Sequence, residues 1–155
     1  MSEPLVFSFS GDPRGQGRPR AAKRGGFISV YKDPKSRKYE DSVAEVAAQA
    51  MAGRTPFVGA LSASYRFRLP IPTSYPKWRR EAMAAGEIAP TTKPDLSNML
   101  KAMEDGMNGV VFVDDCQIVR TFLTKIYHPT PGVDVRVAPL DVESDPTTPS
   151  TRSAA

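Results

Sequence analysis

Residues 61–69 read Leu-Ser-Ala-Ser-Tyr-Arg-Phe-Arg-Leu, an unbroken alternation stopped by Pro70 and Pro72. In an extended chain successive side chains point to opposite faces, so Leu61, Ala63, Tyr65, Phe67 and Leu69 line one side while Arg66 and Arg68 line the other. Such a strand is half buried. It needs sheet neighbours and an apolar cover on one face, which restricts the fold to layered architectures.

The remaining patterns supply those neighbours. Leu5–Gly11 alternates from Val6 onward and predicts a first strand. Residues 12–26, rich in Gly, Pro and Arg, read as a loop, and Phe27–Tyr31 as a second strand forming an open hairpin with the first, its long tip carrying the arginines. From Pro34 the spacing of Tyr39, Val43, Val46, Ala47 and Ala50 is helical, and Gly53 ends that helix. Residues 70–94 form an irregular insertion with a short helix over Lys77–Ala85. A further helix runs from Leu96 to Asn108, burying Leu96, Met99, Leu100, Met103 and Met107. Strands follow over Gln117–Tyr127 and Val133–Val137. The order predicts an α+β, two-layer fold: a mixed sheet of four to five strands carrying two main helices. Residues 1–140 form one domain and residues 141–155, rich in Ser, Thr, Pro and Asp, a disordered tail.

Composition narrows the function classes. No apolar run approaches the roughly 20 residues of a membrane span, and the acidic start Met1-Ser-Glu-Pro is unlike a secretory signal. One cysteine (Cys116) and one histidine (His128) exclude a disulfide framework and a Cys- or His-built metal site, so the expected compartment is the reducing cytoplasm. Cys116 is expected as a small packing residue. The net charge is +4, and residues 1–40 hold nine Lys or Arg against four acids. Arg14, Arg18, Arg20, Lys23, Arg24, Lys35, Arg37 and Lys38 in that segment, with Arg79 and Arg80 further on, suit a polyanionic partner, nucleic acid first.

The chemistry is concentrated in Lys93-Pro-Asp-Leu-Ser-Asn-Met-Leu-Lys101 and in Val110-Val-Phe-Val-Asp-Asp115. Asp95 stands just before the second main helix, where a carboxylate can cap free amides or serve as a ligand. Ser97, Lys101 and Asp105 follow at i, i+4 spacing on one helix face. Asp114 and Asp115 are adjacent acids at the edge of an apolar segment, and if it is extended only one of them faces a given pocket. Carboxylates converging beside a lysine make a site for a hard divalent cation and a phosphate. Asp95 and Asp115, with Asp114 or a backbone carbonyl assisting, would hold Mg2+, and Lys101 would contact the scissile phosphate or orient the attacking water.

These motifs, with Glu104-Asp-Gly-Met-Asn-Gly109, Val113-Asp-Asp-Cys-Gln-Ile118 and Lys125, resemble those of the RusA family of Holliday junction resolvases. Gly15-Gln-Gly-Arg-Pro-Arg20 and Tyr31-Lys-Asp-Pro-Lys-Ser-Arg-Lys-Tyr-Glu40 resemble its phage-type members, and the likeness spans roughly residues 5 to 138. The resemblance implies a homodimeric nuclease, working in the cytoplasm of a bacterial host, that places paired, symmetric, Mg2+-dependent nicks in four-way DNA junctions, with Mn2+ as a possible substitute. By position, Asp95 and Asp115 match the family's essential acids, Lys101 its essential lysine and Asp114 a neighbouring acid. Ser97 departs from the pattern, standing where the family commonly carries a third aspartate. As a metal ligand it is neutral and weaker, so Asp114 or Asp105 makes up the deficit, or affinity and turnover fall. That departure motivates the alternative of a non-catalytic or weakly active binder of branched DNA. A nuclease preferring flaps or forks is a third reading.

Overall fold

The computed structural model describes residues 2–141, and the tail expected at 141–155 lies, from 142 onward, outside them. The chain forms strands β1 (Leu5–Ser10), β2 (Arg20–Arg24) and β3 (Phe27–Tyr31), helix α1 (Pro34–Met51) and strand β4 (Leu61–Leu69). Helices α2 (Lys77–Ala84) and α3 (Leu96–Met107) follow, then strands β5 (Ile118–Tyr127) and β6 (Gly132–Pro139). A four-stranded mixed sheet has the order β1-β6-β4-β5, with β5 parallel to β4 and the other pairs antiparallel. The parallel pair requires a crossover, and that crossover carries α2 and α3.

The alternation of β4 works as read: its five apolar residues are buried and Arg66 is exposed. They meet Leu5 and Phe9 of β1, Val133, Val135 and Val137 of β6, Val43 and Ala47 of α1, and Met99, Met103 and Met107 of α3. Helices therefore cover one face of the sheet. The α1–α3 contact is close because Gly106 has no side chain there: a Cβ would lie 2.7 Å from Val43 Cβ and 2.9 Å from the Glu40 carbonyl.

Two expectations need correction. The loop expected over 12–26 contains strand β2, and Phe27–Tyr31 pairs with it rather than with the first strand. The Gly25–Gly26 turn at φ 54° and 88° makes the tight hairpin, the backbone state glycine adopts at no steric cost. β1 instead pairs with β6, over a hundred residues away in sequence, a partnership that no local pattern encodes. The second correction concerns Cys116, which is exposed rather than packed.

Candidate active site

Helix α3 presents its polar edge to the turn that precedes β5. Lys101 Nζ lies 2.8 Å from Asp105 Oδ1, the i, i+4 pair read from the sequence, and 3.7 Å from Asp115 Oδ2. The hydrogen bond to Asp105 is the main reason its ammonium titrates above the ordinary lysine range. Burial pushes the Asp105 carboxyl up, but hydrogen bonds from Lys101, Lys32 and Gln16 outweigh it and hold the group below the usual carboxylate range. Gln16 Nε2 donates to Asp105 Oδ2 at 2.6 Å, and Lys32 Nζ bridges Glu40 at 2.8 Å and Asp105 at 3.3 Å. The Gly15–Gly17 segment is thus a strap over α1 and α3, fastened also by Gly17 N donating to Ser36 Oγ at 2.8 Å.

Glu104 lies within the sequence motif, which assigns it no role, yet it stands beside these groups. Burial, then repulsion from Asp115, pushes its carboxyl up to about 7, against partial relief from Lys101. Tyr65, 2% exposed, brings a hydroxyl with no hydrogen-bond partner among the described residues. Burial raises its pKa, and the fields of Glu104 and Asp115 add to the rise. The i, i+3 spacing of Lys101 and Glu104 was the available signal for Glu104. Nothing in the sequence joins Tyr65, Lys32 or Gln16 to this place.

Asp114 and Asp115 divide as their adjacency implies. Asp114 Oδ1 accepts from Cys116 N at 3.3 Å, a bond that lowers its pKa, and caps the 3-10 turn Asp115–Gln117. Gln117 completes the box, its Oε1 accepting from Asp114 N at 3.0 Å and its Nε2 donating to the carbonyls of Phe57 and Gly59. Asp115 alone faces Lys101. Asp95 precedes α3 but caps none of its amides, so the capping role open to it by position is not the one it plays. It and Ser97 are exposed at the helix start, after a cis Lys93–Pro94 peptide whose loop is held by Lys125 Nζ on the carbonyls of Thr92 and Pro94.

The structure therefore brings Lys101 and Asp115 together with Glu104 and Asp105, while Asp95 and Ser97 are exposed at the start of the same helix. Among the described residues no group of three or more His, Cys, Asp or Glu side chains is placed to hold a metal ion. The donors are nonetheless all oxygen, the set Mg2+ takes, and Mg2+ commonly binds through one or two carboxylates completed by water and substrate phosphate. The repelled Glu104–Asp115 pair and the orphaned Tyr65 hydroxyl fit a cation bound with its waters.

The basic residues read from the sequence are spread over four segments of the fold. Arg14 and Arg18 are exposed in the loop after β1, Arg20, Lys23 and Arg24 on β2, and Lys35, Arg37 and Lys38 on the first turns of α1. Arg20 pairs with Asp33 at 3.1 Å. On α2, Arg80 is exposed and Arg79 stacks over the Tyr75 ring at 4.1 Å. No helix among the described residues is long and apolar enough to cross a membrane.

Comparison with known proteins adds two findings. The family model described as endodeoxyribonuclease RusA matches residues 10–138. YqaN of Bacillus subtilis (strain 168), named as an uncharacterized protein, is 34% identical over 135 residues, covering 86% of this chain and 94% of that protein.

Proposed function

The chain belongs to the RusA endodeoxyribonuclease family, and on that premise we propose that it is a Mg2+-dependent endonuclease. Its substrate is the four-way DNA junction, which it nicks in symmetric pairs as a homodimer. The observation that carries this reading is the approach of Lys101 to Asp115 across two elements, beside the half-buried Glu104.

Asp95 and Asp115 would hold the ion, with Asp114 or Ser97 assisting, and Glu104 supplies the negative charge that Ser97 does not. Mg2+ in such a site supplies a bound water of lowered pKa and offsets charge on the phosphate. Asp105 keeps Lys101 charged and aimed, so that its ammonium can meet a non-bridging oxygen of the scissile phosphate. Tyr65 offers a hydroxyl donor to the carboxylates or to an ordered water. The exposed arginines and lysines bind the phosphate backbone, which gives structure selectivity without base-edge reading. A four-way junction has approximate two-fold symmetry, so a two-fold dimer presents two equivalent sites to two equivalent phosphates.

The test is cleavage of a synthetic four-way junction under Mg2+ titration, with Mn2+ in parallel. Symmetric paired nicks that require the ion support the proposal; none with either metal removes it. The second reading, a branched-DNA binder without turnover, rests on Ser97. Cutting by Ser97→Asp with none by the native chain selects that reading.

A further inference from the structure

The β2–β3 hairpin stands away from the rest of the fold. Among the described residues its strands pair only with each other, every residue of β3 is exposed, and Ala22 is the one partly covered residue of β2. Phe27, Ile28 and Val30 are 81%, 73% and 69% exposed. An isolated two-stranded hairpin is at best marginally stable in water, and large apolar side chains on its surface signal a covering partner.

The register says what kind. Arg24 faces Phe27, Lys23 faces Ile28 and Arg20 faces Tyr31 across the strands. Directly paired residues share a face and neighbours alternate, so Arg20, Arg24, Phe27 and Tyr31 lie on one side, and Lys23, Ile28 and Val30 on the other. Residues 20–31 carry three basic residues and no acid. Packing this arm against the same arm of a second copy would press like charges together, whereas a polyanion offsets them. Arginine interleaved with aromatic rings is the composition of a base-stacking surface. Apolar side chains flanked by basic ones are likewise what proteins insert between base steps.

The arm is also tied to the candidate active site. Lys32, the residue after β3, bonds Asp105, and Asp105 holds Lys101. Whatever the arm grips is therefore placed at a fixed offset from Lys101.

Resting on the nuclease reading above, we propose that the β2–β3 hairpin is a DNA-inserting arm. Phe27 and Ile28 at its tip enter the opened base step at the branch point, and Lys23 and Arg24 contact the flanking phosphates.

The test uses the full chain in EDTA, which prevents cutting, and a four-way junction with 2-aminopurine at the exchange point. Binding of the native protein should raise 2-aminopurine fluorescence as the base unstacks. Phe27→Ala/Ile28→Ala should abolish the rise and weaken binding by about 5- to 100-fold, the scale of a missing base–aromatic stack, with unchanged circular dichroism because both side chains are exposed. Equal brightening by the double variant overturns the arm while leaving the nuclease reading intact. Conversion of a dimer to monomers by the double variant, read by sedimentation, reassigns the arm to a second copy and also overturns it. Absence of binding to any junction overturns both readings together.

Discussion

Lys101 is held by one carboxylate and faces another, and the two contacts have different consequences. Asp105, at 2.8 Å, fixes the ammonium, while Asp115, at 3.7 Å, stands where an ion would compete for it. Lys101→Ala is expected to lower the cleavage rate by about 100- to 1,000-fold, the cost of one preorganised charge at a transition state. Asp115→Asn should lower it by at least as much while junction binding in a gel shift stays within a few-fold, since the change would remove the proposed metal ligand and leave the proposed phosphate-binding side chains in place. Glu104 gives a pH signature. A carboxyl with a folded pKa of about 7, against an ordinary 4.5, keeps its proton longer in the folded state. Fold stability should therefore fall as pH climbs between those values, and Glu104→Gln should flatten the slope in urea denaturation. Metal binding runs the other way: Mg2+ affinity measured by calorimetry should rise as pH passes about 7, and the Gln variant should lack that step. Ser97, Lys101 and Asp105 were legible as one helix face, and Lys101–Asp105 pairs as that spacing requires. Glu104 was visible in the motif but not its burial, because burial depends on what the fold lays over it.

At the scale of elements, the two main helices meet at Gly106, where any side chain would strike Val43 and the Glu40 carbonyl. Alanine gains helix propensity worth up to about 1 kcal/mol. The obstruction includes backbone, which cannot swing aside, so the overpacking cost of about 1–3 kcal/mol wins. Gly106→Ala should lower the urea midpoint and, by shifting α1 against α3, loosen the Lys32–Asp105–Lys101 chain. Elements with strong internal periodicity were legible: α1, α3 and β4 fall within a residue or two of their expected bounds. Strand β2 was not, because Arg20–Arg24 carries three long basic side chains and reads as a solvated loop; only pairing with β3 across Gly25–Gly26 makes it a strand.

For the whole molecule, the expected behaviour is that of a basic surface on a polyanion. If six to ten phosphates are neutralised, junction affinity should drop by about 10^3- to 10^5-fold between about 50 and 200 mM salt, as read from Kd against salt concentration. Charge-removing variants on β2 and the first turns of α1 should make that slope shallower, by about one unit for each phosphate no longer neutralised. The same basic surplus was countable from composition alone, and it pointed to nucleic acid before any fold was known.

By itself the sequence determined the periodicities, and with them the helices, the half-buried central strand and the acid–lysine motif that places the chain among the RusA endodeoxyribonucleases. Those are short-range properties, set by side-chain geometry over one or two turns. Tertiary structure alone decided that β1 pairs with β6, that Asp115 rather than Asp114 faces Lys101, and that Tyr65 and Glu104 share its surroundings. It also decided that the β2–β3 arm stands uncovered. Each of these depends on segments distant along the chain being packed against one another, or left unpacked, and the free energy of that packing is a property of the closed fold rather than of any local stretch.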